Sequence, residues 1–340
     1  MKVIGLFSGC GGMDLGFIKA GAEVVWANDI DSDAVNTYKR NIGEHIVCKD
    51  IYDVDVNEVP NNADIIVGGF PCLGFTVAKG KSRNINDKVN FLYKEYIRIL
   101  ESKLTKYFVI ENVMGMKSGK DFNNFFENMI KEFEAVGKDS ETTNFKGYKV
   151  KHSVLKASDY GVPQNRKRVI VYGVRGDIED EPNFPNATHM DKTKDKSLEC
   201  GLHYKTLKDA ISDLPLEFDE SIPNHIGNTH KVKINAYVGN RQLDWDKPSP
   251  TITGRGSRTG GAVIHPHPNL HRRLTVREVA RIQTFGDDFI FEGSKGAQYA
   301  HIGNAVPPIM AFHIAKEFKK VIDKEEVKFN SKDWDLPWLK

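Results

Sequence analysis

The chain has 340 residues, 40% of them hydrophobic, which is enough to bury the core of one large α/β domain together with a smaller one. Its 4 cysteines are scattered and form no C-x-x-C pair, which argues against a zinc site and a disulfide framework. The formal net charge is only +2, so affinity for nucleic acid must come from a local basic patch. No apolar run approaches the ~20 residues of a membrane span, and the chain starts without a signal peptide, so we expect a cytoplasmic protein.

The first predicted element is a short strand over residues 3–7, followed by a glycine-rich turn that opens a helix ending near Gly21. Glycines in such a turn let the backbone approach a ligand closely, and the amino terminus of the helix offers unpaired N–H groups. The spacing is not G-x-G-x-x-G. The turn alone therefore fits a nicotinamide or flavin cofactor, a methyl donor or simply a tight turn.

A second predicted strand, over residues 24–28, ends at Asp29. A carboxylate at the end of the second strand of such a sheet can bind both hydroxyls of a ribose. Asp29 could equally cap the next helix, beside Asp31 and Ser32.

A third strand is predicted near residues 45–48, after a helix over residues 33–40, and it leads to Asp50 and Ile51. The carboxylate could accept a hydrogen bond from an adenine amino group while the isoleucine packs on the ring. Both residues could equally belong to an ordinary turn.

An apolar run over residues 65–67 stops at a pair of glycines, and the chain then turns through Pro71 and Cys72. This pattern predicts a buried strand that delivers a cysteine to a loop at its carboxyl end, where open α/β sheets bind ligands. Cys72 could serve as a nucleophile if a helix amino terminus or a nearby cation stabilises its thiolate. Taken alone, a free cysteine is more often a small buried hydrophobic residue.

A fifth strand is predicted over residues 107–110 and ends at Glu111. Partial burial would raise the pKa of this carboxyl group and let it hold a proton. Cys72 and Glu111 thus follow two consecutive strands, so we expect them to be neighbours. The basic loop between them, residues 79–88, could close over a polyanion or stay solvated.

Two helices and two further strands are predicted over residues 91–103, 122–136, 148–155 and 169–174. Before the last of these strands, Arg166 and Arg168 occupy alternate positions, so their side chains point to one side of an extended segment. They could bind a phosphate or a base carbonyl, or they could be surface charges at the entrance of a strand.

A series of short segments carries a family resemblance. They are FSGCGG at residues 7–12, GFPC at 69–72, ENV at 111–113, QNRKR at 164–168, RLTVREVARIQ at 273–283 and GNAVPP at 303–308. In this order they resemble the motif set of the DNA cytosine-5 methyltransferases, and most closely that of single-chain bacterial or phage modification enzymes. The resemblance extends from residue 3 to about residue 320, nearly the whole chain.

The resemblance implies a covalent mechanism. Cys72 would attack carbon 6 of cytosine, because carbon 5 is too electron-poor to accept a methyl group before this addition. Glu111 would hold or donate a proton at ring nitrogen 3, and Arg168, with Arg166 in support, would hydrogen-bond near the base carbonyl or position Glu111. Carbon 5 would take the methyl group of S-adenosylmethionine and lose its proton, which expels Cys72. The target cytosine must be flipped out of the duplex, because its ring is stacked inside.

The resemblance also implies a site for S-adenosylmethionine. Its residues would be Phe7, Gly9, Cys10, Gly11, Gly12, Asp29, Ile30, Asp50, Ile51, Leu92, Asn304 and Val306. Asp29 would bind the ribose, Ile30 would pack against the adenine, and Asn304 would help to close the pocket. The chain departs from the family pattern at Leu73, where many relatives carry glutamine, and at Asp29, where glutamate is usual. Leu73 lacks the amide that would make a polar contact there during base flipping.

For the fold, the resemblance implies an α/β protein with a Rossmann-like S-adenosylmethionine-dependent methyltransferase sheet and a second, smaller and irregular target-recognition domain. The cofactor-binding catalytic domain would comprise residues 1–175 and 272–322, the recognition domain residues 176–271, and the C-terminal tail residues 323–340. Helices predicted over residues 276–285 and 306–321 would return the chain to the first domain.

The recognition region is rich in lysine and arginine in its second half, which fits contacts to phosphates and bases. We select residues 250–258 as the base-reading stretch. In it Thr251, Arg255 and Arg258 would contact DNA, and the two arginines could bind guanine edges. The alternative is a glycine-rich hairpin with solvated arginines.

These observations predict a DNA (cytosine-5-)-methyltransferase of a restriction-modification system, with S-adenosylmethionine as cofactor and no metal. The expected partner is double-stranded DNA, a cognate restriction endonuclease could belong to the same system, and the enzyme is expected to be a monomer that binds no membrane. Methylation of a tRNA cytosine is an alternative, but that branch of the family carries a Cys-Phe-Thr signature that is absent here. A silent DNA-binding relative need not retain Cys72, Glu111 and both arginines, and a dinucleotide-dependent oxidoreductase would need another glycine spacing.

Overall fold

The computed structural model describes residues 1–71, 84, 88–138, 145–191, 201–227, 232, 234–235, 240–254, 264–269 and 272–339. Its strands are β1 (Lys2–Leu6), β2 (Glu23–Asp29), β3 (Ile46–Cys48), β4 (Ile65–Gly68), β5 (Tyr107–Val113), β6 (Tyr148–Lys156), β7 (Lys167–Arg175), β8 (His189–Met190) and β9 (Leu202–His203). Its helices are α1 (Gly12–Lys19), α2 (Ser32–Asn41), α3 (Tyr93–Lys103), α4 (Lys120–Ala135), α5 (Leu207–Ile211), α6 (Val276–Ile282), α7 (Lys295–Asn304) and α8 (Pro308–Ile322).

Within the described residues, the main sheet has 7 strands in the order β3-β2-β1-β4-β5-β7-β6. Strands β1 to β5 run parallel, whereas β7 is antiparallel to β5 and β6 is antiparallel to β7. The chain changes its direction across the sheet between β1 and β4, and the carboxyl ends of such strands border the crevice in which α/β sheets bind ligands. The predicted α/β fold with a Rossmann-like sheet is confirmed.

Alternate residues of the strands enter two separate hydrophobic cores. Val3 and Val109 pack with side chains of α1 and α8 on one face of the sheet. Ile4 and Phe108, the neighbouring residues, pack with side chains of α3 and α4 on the other face. Successive side chains of a strand point to opposite faces, so a sheet covered on both faces needs continuous apolar runs. These are the runs by which the sequence predicts the strands.

Helix α8 brings the end of the chain back to the sheet. A Cβ atom at Gly16 of α1 would lie 2.4 Å from the Cβ of Ala311, so the backbones of α1 and α8 approach as closely as glycine allows. Beyond α8, Trp334 and Leu336 are only 4% and 0% exposed and join the same core. The C-terminal tail therefore docks on the sheet domain.

Some elements differ in extent from those predicted. Strand β5 continues to Val113, because its last residues pair with the antiparallel β7, so Glu111 lies within the strand and not after it. Helix α6 ends at Ile282, and Thr284 then adopts a left-handed φ of 69°. Helix α8 begins at Pro308, whose fixed φ suits the first turn of a helix. Helix α7 is absent from the sequence prediction.

The described part of the predicted recognition region, residues 176–271, contains α5 and a small pair of parallel strands, β8 and β9. Its first residues lie against the sheet domain, where the Tyr160 hydroxyl donates a hydrogen bond of 2.9 Å to the Pro185 carbonyl. Ile252 packs in a third core with residues of α6. The domain boundaries stay a prediction. In the portions of the chain that the structure describes, no helix has both the length and the apolar character that crossing a membrane requires.

Candidate active site

The turn between β1 and α1 adopts backbone conformations that favour glycine. Gly9 and Gly11 have left-handed φ angles of 55° and 88°. The N–H group of Gly9 donates a hydrogen bond of 2.7 Å to Asp29 Oδ2. Among the described residues other than its chain neighbours, that oxygen is also the one heavy atom within 4 Å of a Cβ built on Gly9, at 4.0 Å. This side of the turn is therefore open to a ligand.

Asp29, at the end of β2, faces this turn. Its carboxylate accepts hydrogen bonds from the N–H groups of Gly9 and Asp31, the latter at 2.9 Å. Burial raises the pKa of the Asp29 carboxyl group above its usual value. The cap of α2 is Asp31, whose side chain accepts hydrogen bonds from the N–H groups of Asp33 and Ala34. The capping function that Asp29 could have had thus belongs to Asp31.

The next edge of the crevice is formed by Ile30 and the turn after β3. Ile30 is 65% exposed and offers an apolar surface beside the glycine-rich turn. Asp50 accepts a hydrogen bond of 3.2 Å from the Tyr52 N–H group, and Ile51 is 3% exposed, as part of the core. Arg98 of α3 donates a hydrogen bond of 2.7 Å to the Ile51 carbonyl, which holds this turn in place.

The segment that leads to the predicted nucleophile is described as far as Pro71. Several predicted residues lie outside the described part of the chain, namely Cys72, Leu73, Arg255 and Arg258. Asn112 of β5 donates a hydrogen bond of 3.1 Å to the Phe70 carbonyl. This bond fixes the backbone just before Pro71 and Cys72 to the edge of β5.

Glu111 lies beside the end of β4. Gly68 is paired with Ile110, so the next residues, Gly69 and Glu111, are also adjacent. A Cβ atom at Gly69 would lie 3.1 Å from Glu111 Oε2. Glu111 is 7% exposed, so the partial burial expected from the sequence is found.

Arg166 and Arg168 both face the carboxylate of Glu111. The Nε atom of Arg168 lies 2.7 Å from Glu111 Oε1, and the Nη2 atom of Arg166 lies 4.0 Å from the same oxygen. Burial lowers the pKa of both guanidinium groups from the usual arginine value. Both arginine charges therefore attract the Glu111 carboxylate at a site withdrawn from water.

The carboxyl end of α7 is held by side chains from distant parts of the chain. The last carbonyl groups of a helix have no partner inside it. Arg166 Nη1 donates a hydrogen bond of 2.9 Å to the Gly303 carbonyl, and Gln283 Nε2 donates one of 2.7 Å to the Ile302 carbonyl. Asn304 and Val306, which are predicted to close the cofactor pocket, follow directly. A Cβ atom at Gly12 would lie 2.4 Å from the Val306 carbonyl oxygen, so this segment touches the glycine-rich turn.

Cys10 also holds this helix end. It is 1% exposed, and its Sγ atom donates a hydrogen bond of 3.6 Å to the His301 carbonyl. Burial raises the pKa of the Cys10 thiol. Because the thiolate is the reactive form of cysteine, Cys10 is a structural residue of the turn and not a nucleophile.

Two buried glutamines have no role in the sequence prediction. The Oε1 atom of Gln164 accepts a hydrogen bond of 2.9 Å from the Ile252 N–H group, and its Nε2 atom donates to Gln283 Oε1. Gln283 in turn donates its hydrogen bond to the Ile302 carbonyl at the end of α7. The sequence signal for them was their place in the QNRKR and RIQ segments.

Thr251, the described member of the predicted DNA contacts, donates a hydrogen bond of 3.3 Å to the Asn165 carbonyl.

These residues fit an adenosine-containing cofactor. The open turn at Gly9 presents backbone to a ligand, Asp29 offers a carboxylate beside it, and Ile30 offers an exposed apolar surface for a planar ring. Leu92, also predicted to bind the cofactor, is half-buried just before α3. Together, the sheet and this crevice define the class of Rossmann-like, S-adenosylmethionine-dependent methyltransferases.

The comparison with known proteins identifies the family within this class. The family model described as C-5 cytosine-specific DNA methylase matches residues 1–320. The chain is 37% identical to the type II methyltransferase M.NgoPII of Neisseria gonorrhoeae, over 95% of this chain and 97% of the relative. It is 35% identical to the type II methyltransferase M.FnuDI of Fusobacterium nucleatum, over 96% of this chain and 97% of the relative.

Solved structures show the same fold. The Dnmt2 methyltransferase of S. pombe superimposes with a TM-score of 0.64 at 20% identity, over 95% of this chain and 99% of that one. The chain therefore belongs to the C-5 cytosine-specific DNA methylase family. It is a DNA cytosine-5 methyltransferase that uses S-adenosylmethionine as methyl donor.

Proposed function

We propose that the protein methylates a cytosine flipped out of a short duplex sequence through a covalent adduct with Cys72, as the modification enzyme of a type II restriction-modification system. The observation that carries this proposal is the position of Glu111, which is buried beside Gly69 and paired with Arg168. Cys72 follows Gly69 by only three residues, so a base in contact with the cysteine would also reach the carboxyl group. The relatives named as type II methyltransferases support the modification role.

In the proposed reaction, the thiolate of Cys72 adds to carbon 6 of the cytosine while Glu111 holds a proton at ring nitrogen 3. Arg168 keeps the carboxyl group aimed at the ring and offers a donor to the base carbonyl. S-adenosylmethionine supplies an electrophilic methyl group for carbon 5 when it is bound. Loss of the carbon 5 proton to solvent water then restores the ring double bond and expels the Cys72 thiolate, and the proton at ring nitrogen 3 returns to Glu111.

The cofactor would lie against the glycine-rich turn, with Asp29 on the ribose and Ile30 on the adenine. The other proposed cofactor residues are Phe7, Gly9, Cys10, Gly11, Gly12, Asp50, Ile51, Leu92, Asn304 and Val306. Thr251, Arg255 and Arg258 would contact the duplex. The enzyme would act as a monomer in the cytoplasm, where the genomic DNA lies, beside a cognate endonuclease that cleaves the unmethylated sequence.

The test starts with plasmid DNA, S-adenosylmethionine and the purified protein, followed by bisulfite sequencing. We expect methylcytosine confined to one short motif. Cys72→Ala should abolish transfer and keep cofactor affinity within about twofold, because the thiol acts on the base and not on the cofactor. Cys200→Ala is the matched control, since the reaction gives that thiol no role, and it should retain full activity.

A duplex with 5-fluorocytosine at the target position tests the adduct itself. Fluorine cannot leave as a proton does, so the wild-type protein should stay covalently bound to this DNA under denaturing conditions, and Cys72→Ala should not. Methylation by Cys72→Ala at the normal rate would refute the nucleophile. Label that enters tRNA and not DNA would refute the proposed substrate.

A further inference from the structure

The predicted DNA-reading stretch and the predicted cofactor segment touch each other directly. A Cβ atom at Gly303 would lie 2.3 Å from the Thr253 carbonyl carbon and 2.5 Å from the Gly254 nitrogen. A Cβ atom at Gly254 would lie 1.8 Å from Asn304 Oδ1. We call residues 252–254 together with 303–304 the junction. At Gly303 the neighbouring atoms are backbone, so only glycine fits there, whereas at Gly254 the neighbour is the Asn304 side chain.

Buried side chains prevent the two sides of the junction from moving apart. Arg166 Nη1 donates hydrogen bonds to the Ile252 carbonyl at 3.0 Å and to the Gly303 carbonyl at 2.9 Å, so one guanidinium group binds both sides. The pair of buried glutamines described above makes a second link, from the Ile252 N–H group to the end of α7. Because these contacts hold both backbones in place, a change at Gly254 can be taken up only by movement of the exposed Asn304 side-chain amide.

We propose that the contact between Gly254 and the Asn304 amide couples DNA binding to cofactor binding, with both residues acting as positioning residues for the methyl donor. The inference rests on the proposed function, in which the residues after Gly254 contact DNA and Asn304 contacts the cofactor. DNA that fixes the backbone at Gly254 also fixes the Asn304 amide, so each ligand favours the arrangement that the other needs. Such coupling is reciprocal by thermodynamic necessity.

The test measures the affinity for S-adenosylhomocysteine by isothermal titration calorimetry, with and without a short duplex that carries the motif found by bisulfite sequencing. In Gly254→Ala the added methyl group displaces the end of an exposed side chain, so the fold is not threatened. We expect DNA to tighten cofactor binding roughly tenfold in the wild-type protein, within the usual range of allosteric coupling, and less than about twofold in Gly254→Ala. The matched control is Gly227→Ala, where the new methyl group would meet the Phe218 ring and not Asn304; it should keep the wild-type ratio.

A double-mutant cycle separates coupling from simple structural damage. If Gly254 acts through the Asn304 amide, Gly254→Ala/Asn304→Ala should have the same DNA-dependent ratio as Asn304→Ala alone. Additive effects of the two substitutions, an unchanged ratio in Gly254→Ala, or a wild-type ratio of one would each overturn the inference. Failure of the proposed function is a different result, since the wild-type protein would then leave plasmid DNA unmethylated.

Discussion

Arg166 is the residue whose replacement should reveal most about how the candidate active site is held together. It is 1% exposed, and its Nη1 atom serves carbonyl groups of Ile252 and Gly303, which lie 86 and 137 residues away in the sequence. Methionine has a similar length and no donor. Arg166→Met therefore leaves both carbonyl groups without this partner while the volume of the core is roughly kept.

The size of the effect follows from those two bonds. A hydrogen bond from a charged donor contributes about 1.5–3 kcal/mol, so the loss of both removes about 3–6 kcal/mol. Part of this lost stabilisation is offset, because the neutral side chain has no charge to desolvate and does not repel Arg168. Both unfavourable effects act on the wild-type residue, since burial and the charge of Arg168 lower the pKa of Arg166. We expect Arg166→Met to lower the free energy of unfolding by about 2–4 kcal/mol.

Urea unfolding followed by circular dichroism measures this difference. Arg166→Lys should recover less than half of the loss, because an ammonium group cannot reproduce the planar fork that serves two carbonyl groups from different segments. Lys167→Met is the matched control: Lys167 is the next residue along the chain and is exposed, so its effect should stay within about 0.5 kcal/mol. If the free energy of unfolding of Arg166→Met were also within about 0.5 kcal/mol of the wild-type value, the view that Arg166 links these segments would be wrong.

Two further outcomes are expected. Burial raises the pKa of Asp14 from its usual 3.8 to about 6, so the folded protein holds a proton that the unfolded chain has released between these pH values. Ionisation of this group therefore lowers the free energy of unfolding by about 3 kcal/mol as the pH rises through that window. Measured by urea unfolding, the stability of Asp14→Asn relative to the wild-type protein should rise by about that amount between pH 4 and pH 7. A stability difference between the two proteins that is the same at both pH values would contradict this. Asn112→Ala removes the donor to the Phe70 carbonyl, so kcat should fall roughly tenfold while cofactor affinity stays within about twofold, because a misplaced catalytic group reduces the rate of the chemical step. Asn112→Leu, which also lacks the donor and adds no charge, should behave alike, and an unchanged kcat in both variants would show that this bond does not position the proposed catalytic segment.

The parallel strands could be predicted because the pattern that identifies them lies within a few consecutive residues. Strands β1 and β4 are covered on both faces, so each reads as an apolar run that stops at a glycine-rich turn. The neighbourhood of Glu111 and the end of β4 could be predicted for a related reason, since the carboxyl ends of parallel strands meet at one edge of the sheet. The register of Gly68 with Ile110 then places Glu111 beside Gly69.

Helix α7 could not be predicted from hydrophobic periodicity. Its buried positions include Gln298 and His301 as well as apolar residues, so its apolar pattern is weak. It is stabilised from outside, by the Ser294 cap at its start and by side chains that bind the carbonyl groups at its end. The link between Gln164 and Gln283 joins residues 119 positions apart, and no local pattern reports a contact of that range.

The same side chains explain why these distant segments have to fold together. A helix whose last carbonyl groups faced a dry core without partners would be strongly destabilised, so α7 needs Arg166 and Gln283 in place before it can end where it does. Arg166 also lies 4.0 Å from Glu111, and its other carbonyl partner belongs to Ile252, next to the predicted DNA contact Thr251. One buried guanidinium group thus joins the proposed catalytic carboxylate, the predicted recognition segment and the predicted cofactor segment. A substitution at Arg166 should for this reason weaken catalysis, DNA binding and cofactor binding together with the stability of the fold. Gly254→Ala, in contrast, should reduce the coupling between DNA and cofactor binding and leave the stability unchanged.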